Sequence, residues 1–416
     1  MRYRDHLPLV SANLIRMVYV LGSSIVLQLY MKDLGATPFQ ISLLVVVLWT
    51  GMLVFAPLWG ALSDASGRRR LFLAISILGA ALVFPLFAMA GTVRQVLGLR
   101  FLYAVLTAGF PPIALAAMSD MAEKDRRGKT LAPYHTSRAA GFLIGWGGAG
   151  ILLDLLGFTV TFAVFTGVGI IGFIVTLLIS GIDSPEPVSL GEVWRKAKQR
   201  WVPSRGDASL REKGLNYLFF GIFLRKMSFI GFFSLIAVYA VDVLGHSASL
   251  LGLILATNPV AQLLFIDLFG TFADRHGRRT VLLFGFLSSV PVPLMLIYAG
   301  NPLVFAAAYF LLGLSFAAIV EGSTAFIGDV APDGREGEFM GFRKSAQGLA
   351  GVVGPLLAGG LATYYGYQIM LLGMGGLTAL GFVAVWFGTE ESLEDIQQHI
   401  SLRHDVYDTF LHVIGR

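Results

Sequence analysis

Gly60-Ala-Leu-Ser-Asp64-Ala-Ser-Gly67-Arg68-Arg69 is answered, 210 residues further on, by Gly270-Thr-Phe-Ala-Asp274-Arg-His-Gly277-Arg278-Arg279. Gly, Asp, Gly, Arg and Arg fall in register. Each stretch follows one apolar run and precedes another, so each is a short basic turn between two membrane helices. Gly67 and Gly277 supply the tight turn, where a side chain is costly at positive φ. A chain that carries the same turn in both halves is the product of duplicating a helical membrane unit.

Composition points the same way. Of the 416 positions, 56% are hydrophobic and 14% charged, and the mean hydropathy is +0.73. A water-soluble chain of this length needs more charge to solvate its surface, so the bilayer is the solvent. The 49 glycines suit helices that approach closely through small residues. The absence of cysteine excludes disulfides, thiolate metal sites and Cys nucleophiles, but leaves the compartment open. A formal net charge of +5 raises the question of nucleic acid, and the placement of the basic residues in membrane turns answers it in the negative. The first apolar run carries Arg16 and lacks a small-residue cleavage site, which makes it a retained helix and not a cleaved signal.

Runs long enough to cross a bilayer fall near 8–30, 39–62, 71–91, 95–118, 131–155 and 158–181, then near 215–240, 249–272, 281–300, 303–327, 340–363 and 367–388. The expected fold is therefore all-α and polytopic, with twelve transmembrane helices arranged as two six-helix bundles, 1–182 and 214–388. The linker, 183–213, is polar and holds Pro185, Pro187 and seven Lys or Arg. The tail, 389–416, is polar, with Leu393, Ile396, Ile400, Val406 and Phe410 at loosely helical spacing. Basic residues set the orientation. Arg2, Arg4, Arg68–Arg70, Lys124, Arg126, Arg127, Lys129, the linker set, Arg275, Arg278, Arg279 and Arg335 share one side, and only Lys32 and Arg94 lie on the other. Both termini and the linker are thus expected in the cytoplasm, with the chain in the plasma membrane.

The repeat extends beyond the turns. Arg16 aligns with Arg225, Gly22 with Gly231, Tyr30 with Tyr239 and Asp33 with Asp242, all at an offset of 209. Asp120 with Asp329, Gly145 with Gly354 and Gly150 with Gly359 keep the same offset. Six helices repeated with even parity leave the halves parallel, related by an axis along the membrane normal.

With these residues in view, the chain resembles a major facilitator superfamily transporter over nearly its whole length, and within that superfamily the twelve-helix drug-efflux-like branches. Gly60 to Arg69 is similar to the superfamily's loop motif between helices 2 and 3, repeated between helices 8 and 9. Arg100 to Gly109 resembles the fourth-helix motif. Asp120 followed by Arg127-Gly128-Lys129 resembles the loop after helix 4. Gly141-Phe-Leu-Ile-Gly145-Trp146-Gly-Gly148 resembles the antiporter motif of helix 5, with Trp146 where that motif has proline. The resemblance implies a secondary active transporter of a small organic solute working by alternating access, with proton-coupled efflux as the expected mode. Import or exchange of an organic anion is the alternative, and a non-transporting membrane sensor a more distant one. Protons, the small-molecule substrate and the lipid bilayer are the expected partners, and the chain is expected to act as a monomer. No metal-ligand spacing, nucleophile elbow or phosphate-cradling loop is present, so no enzyme, metal or cofactor is expected.

Individual residues carry the rest. Gly60, Asp64, Gly67, Arg68 and Arg69, with Asp120 and Arg127, and Gly270, Asp274, Gly277, Arg278 and Arg279 in the second copy, are the expected gating set. An acid at a helix end pairs with a loop arginine or caps the next helix, and such pairs latch the halves when the carrier faces outward. A charge in mid-bilayer is costly, so Arg16, Arg100, Arg225 and Lys226, together with Asn258, are the substrate-binding candidates. Arg16 and Arg225 either pair with acids and snorkel or face a central cavity from both halves; a two-arginine arrangement on helices 1 and 7 also occurs in the superfamily's organophosphate exchangers. Glu321, and secondarily Asp267, are the proton-coupling candidates, with Arg225 or Lys226 as the expected partner of Glu321.

Overall fold

The computed structural model of the protein describes residues 6–121, 127–183, 191, 212–332 and 335–393, with the side chains of 127–132 left aside. The sequence-level readings of most of the linker, of the tail beyond residue 393 and of the Arg127 side chain lie outside the described residues. Among the described residues the architecture is all-helical. Nine helices are long and apolar enough to cross a membrane, ten when the bent pair Glu212–Phe233 and Ile236–Val243 counts as one. Two of these are double length, Pro133–Leu177 with 45 residues and Glu336–Gly388 with 53. Each is interrupted by a glycine with non-helical backbone, Gly157 at φ 71° and Gly366 at φ 85°. Division at those glycines accommodates twelve crossings.

The crossings are α1 (Leu7–Asp33), α2 (Pro38–Ser66), α3 (Arg69–Ala88), α4 (Val93–Asp120), α5 (133–156), α6 (158–177), α7 (the bent pair), α8 (Ala248–His276), α9 (Arg278–Ile297), α10 (Pro302–Val330), α11 (336–365) and α12 (367–388). The turns at Gly67 and Gly277 mark the basic end of the molecule; the opposite end is the far end.

Local sequence explains where the helices begin. At the far end, Thr37 and Gln40 form a reciprocal capping box on α2, and Thr92 and Gln95 do the same on α4. Ser247 caps α8 and Asn301 caps α10 through their side-chain oxygens. At the basic end the caps come from distant chain. The Arg70 N–H donates to Asp183 at 2.9 Å, and the N–H groups of Arg278 and Arg279 donate to Glu391 at 2.8 and 3.1 Å. Chain just past α6 thus caps α3, and chain just past α12 caps α9. A carboxylate is favoured there by the free N–H groups and positive end of the helix.

Large apolar side chains remain on the outside, among them Phe387 (82% exposed), Tyr364 (81%) and Met89 (80%). A surface of this kind is stable against lipid and not against water. Within each set of six, α1 packs on α5 and α6, α7 packs on α11 and α12, and α8 packs on α10. The close approach of α5 to α1 needs small residues: a Cβ on Gly145 would lie 2.5 Å from the Val18 carbonyl oxygen. The Gly141–Gly148 motif therefore packs α5 largely inside the first half, and Gly150, two residues on, packs it against α8 of the second.

Candidate functional site

The basic turns are wired within each half. Arg69 forms ion pairs with Asp120 at 2.5 Å and Asp64 at 3.6 Å. Arg278 pairs with Asp274 and, at 3.2 Å, with Asp329. The equivalent arginines are thus Arg69 and Arg278, 209 apart, whereas the sequence alignment of the turns equates Arg68 with Arg278. The first turn is one residue longer: Arg68 precedes α3 in a non-helical conformation and is exposed, while α9 begins directly after Gly277. Arg279 instead donates to the Trp386 carbonyl at 2.7 Å. Gly67 and Gly277 both have positive φ, 66° and 96°. Gly60 is buried in α2, and Gly270 lies beside the Glu321 carboxylate. The acid–arginine pairs, expected as a latch between halves, run inside each half in this conformation.

The halves join at the far end. Among the described residues, the hydrogen bonds between them are Lys32 to Asp242 at 2.8 Å, Phe39 N–H to Thr363 Oγ1 at 2.9 Å, Ser249 N–H to Asp154 at 2.7 Å, Ser249 Oγ to the Gly150 carbonyl at 3.5 Å, and two made by Gln28. Gln28, 1% exposed, donates to the Phe233 carbonyl at 3.1 Å and accepts from the Ala237 N–H at 3.0 Å. Those backbone groups flank the 48° bend of α7, so one amide from α1 satisfies what the bend leaves open. Beneath these contacts, Trp146 meets Phe233 across the halves at 5.4 Å between ring centroids and Phe142 at 5.4 Å within α5. Trp146, the departure from the antiporter motif, is 2% exposed and forms part of this aromatic seal.

The intramembrane polar residues divide into two groups. Arg16 and Arg225 are 2% and 3% exposed and turn into their own bundles. Arg16 donates to Thr107 Oγ1 at 3.0 Å and to its carbonyl at 3.3 Å, with its guanidinium over Phe110. Arg225 donates to Ser315 Oγ at 2.8 Å. The symmetry read from sequence is real, but these partners are hydroxyls and carbonyls on α4 and α10. Each arginine thus finds its hydrogen bonds inside its own half. Arg100, 1% exposed, donates to the Leu44 carbonyl at 3.3 Å. Asn258, 4% exposed, donates to the Tyr309 carbonyl at 3.2 Å and accepts from Gln262 at 2.7 Å. Both sit in helix–helix contacts.

In the second group, cations from both halves meet at one ring. Lys226 of α7 has its ammonium 4.8 Å from the ring centre of Phe316 on α10 and 5.5 Å from Phe229. Arg138 of α5 lies over the same Phe316 at 5.7 Å and over Phe142 at 5.3 Å. Arg343 and Lys344 of α11 and His135 of α5 belong to the same field, since Arg138, Lys344 and Arg343 all act on His135. Glu321 of α10 is half-buried, and its charged neighbours are Asp267, Arg343 and Asp274. Its cationic neighbour is therefore Arg343, which donates to Ser323 and Thr324 at 2.9 Å each, and not Arg225 or Lys226. Asp267 is exposed on α8. Phe316, Arg343 and Gln28 were missed at the sequence level. A polar residue inside an apolar run is the available signal for the last two; Phe316 carries none. A separate cleft of about 450 Å³ lies on the flank formed by α3 and α6, with Arg68, Arg70 and Asp183 at its rim.

The family model of the Major Facilitator Superfamily matches residues 10–257 and 218–404. Multidrug resistance protein MdtG of Proteus mirabilis is 29% identical over 374 residues, spanning 86% of this chain and 89% of that protein. MdtG of Escherichia coli is 26% identical over 372 residues, spanning 86% and 88%. Among solved structures, the nucleoside transporter NupG superposes with a TM-score of 0.72 at 14% identity, over 91% of this chain and 98% of that one. The human organic anion transporter MFSD10 superposes with a TM-score of 0.61 at 19% identity, over 91% and 99%. At such identities the structural likeness speaks to the fold alone.

Proposed function

The chain belongs to the Major Facilitator Superfamily, a class of membrane transporters and not of enzymes, and we propose that it exports a small amphipathic organic solute from the cytoplasm in exchange for protons. The observation that carries this reading is the one-sided closure. Hydrogen bonds join the halves only at the far end among the described residues, while toward the other end Arg138 and Lys226 come to Phe316 from different halves and the half-buried Glu321 lies within the second half beside Asp267, Asp274 and Arg343. With the basic turns in the cytoplasm, this is the cytoplasm-facing, loading conformer of an alternating-access cycle. Residues 1–182 and 214–388 are the two rocking units. The multidrug resistance proteins at 26–29% identity support the outward direction.

In this reading Glu321 is the coupling group. Its environment sets Arg343 against Asp267 and Asp274, and a shift of α11 inside the second unit, accompanying the rocking of the two units, alters that balance, binding or releasing a proton. The pairs Asp64–Arg69 and Asp274–Arg278 exchange partners as the halves close on the cytoplasmic side. The carrier acts as a monomer in the plasma membrane with both termini cytoplasmic. An impermeant thiol reagent applied outside checks that orientation: Arg94→Cys is expected to react and Arg69→Cys is not, and the reverse pattern overturns it.

A second reading, import or exchange of an organic anion, is favoured by Arg138 and Lys226, which have no carboxylate partner among the described residues. Inside-out vesicles with an acidified lumen separate the two. Uptake of a fluorescent amphipathic compound that collapses when the pH gradient is dissipated supports export. Uptake that ignores the gradient but responds to anion loaded on the opposite side supports exchange.

A further inference from the structure

Phe316 is held between two cations from opposite halves, Lys226 at 4.8 Å and Arg138 at 5.7 Å from its ring centre. Neither cation makes a hydrogen bond or ion pair with any described residue, and the Arg138 Nε is buried without a partner. The charged groups acting on Lys226 are Arg225, Arg138 and Arg343, all cations. The carboxylate of Glu321 belongs to the field of Arg343, Asp267 and Asp274. Phe142 and Phe229 supply further ring faces beside the same two cations, and the Trp146–Phe233 contact closes the site from the far end.

Charges inside a membrane protein are costly and are ordinarily paired. Ring faces offset part of that cost through the quadrupole, but a ring does not neutralise a charge. Two uncompensated cations, brought to one ring from halves that move relative to one another, lack one component: an anion. The rings around them define the rest of that component, because a flat apolar body can stack on Phe316, Phe142 or Phe229 while its charged edge lies between the guanidinium and the ammonium.

We propose that Arg138, Lys226 and Phe316 form the substrate subsite of this carrier and that it takes planar aromatic anions, of the arene carboxylate or sulfonate class. The proposal rests on the carrier reading but not on the direction of transport. Because the two cations belong to different halves, the bound anion also ties the halves together. It is released when they rock apart and the cations separate.

The test is equilibrium binding to the purified full chain in detergent, with radiolabelled 2-naphthoate, its neutral isostere 2-naphthamide, and cyclohexanecarboxylate as an anion without a flat ring. The wild type is expected to bind naphthoate at least about tenfold more tightly than the amide, as hydrogen bonds to a charged group imply. Arg138→Gln and Lys226→Gln each reduce that ratio toward one, and Arg138→Lys retains most of it. Phe316→Leu weakens naphthoate while leaving cyclohexanecarboxylate unchanged. Equal affinity of the wild type for naphthoate and naphthamide overturns the proposal without any variant, as does an unchanged ratio in the doubly substituted protein. A chain that binds naphthoate as expected but moves nothing in vesicles keeps the subsite and rejects the export function. A chain that moves neutral amphipaths, with the acid-to-amide ratio at one, does the opposite.

Discussion

Replacement of Gly150 by valine is expected to drive the protein out of the conformation described here. Gly150 on α5 faces the Ala248 carbonyl at the start of α8, and a Cβ on residue 150 would fall well inside contact distance of that oxygen. The same junction carries Ser249 N–H to Asp154 at 2.7 Å and Ser249 Oγ to the Gly150 carbonyl at 3.5 Å. Non-bonded heavy atoms prefer separations of about 3.5–4.0 Å, so α5 and α8 must part by more than about 1 Å. Overpacking of this kind costs roughly 1–3 kcal/mol. In the proposed alternating-access cycle the junction belongs to the closed far end and opens when the halves rock, so the cost falls on one conformer alone. The population open at the far end then rises by about 5–150-fold. The absence of cysteine makes the assay clean. Ser42, fully buried where α2 meets Gly359 of α11, is replaced by cysteine, and its rate of reaction with an impermeant thiol reagent is followed in both backgrounds. Gly150→Val is expected to raise that rate by the factor given, and Gly150→Ala by less. An unchanged rate, with the variant intact in the membrane, refutes the reasoning that this contact exists in one conformer only.

The buried arginines give a different expectation. Arg16→Gln and Arg225→Gln each remove charged hydrogen bonds to Thr107 or Ser315 and are expected to destabilise the protein by about 1.5–3 kcal/mol, read as a lower thermal midpoint, with apparent substrate affinity unchanged; loss of affinity at normal stability contradicts their placement. Asp64→Asn is expected to slow turnover strongly while expression stays near normal, because Arg69 keeps Asp120 as its second partner. Wild-type turnover in that variant reduces the turn to a topology signal.

Much of this was legible in the chain because duplication writes itself as spacing. The two turns, the 209-residue offset and the apolar runs imply twelve crossings, a number that the described helices accommodate. What resisted reading has physical causes. The turns align at 210 by identity but at 209 by role, since a loop can absorb one residue while helix starts cannot; only the ion pairs of Arg69 and Arg278 reveal it. The depth of Arg16 and Arg225 follows from counting, but their direction does not. A helix that is apolar on both its lipid and its core faces has no amphipathic asymmetry to orient a side chain. Arg138 stands inside an apolar run and is visible as such in the sequence, yet its link with Lys226 through Phe316 depends on helices from both halves meeting. Trp146 read as a defect in a motif, and its packing on Phe233 shows it closing the far end.

The central claim is that proton movement through Glu321 drives transport. The most direct measurement compares wild type and Glu321→Gln in proteoliposomes, recording gradient-driven accumulation and substrate-for-substrate exchange side by side. Glutamine keeps the size and hydrogen-bonding capacity of the side chain beside Gly270 but cannot bind or release the proton. The account predicts that Glu321→Gln abolishes accumulation against a gradient while exchange persists. Accumulation with the wild-type dependence on the pH gradient would contradict it.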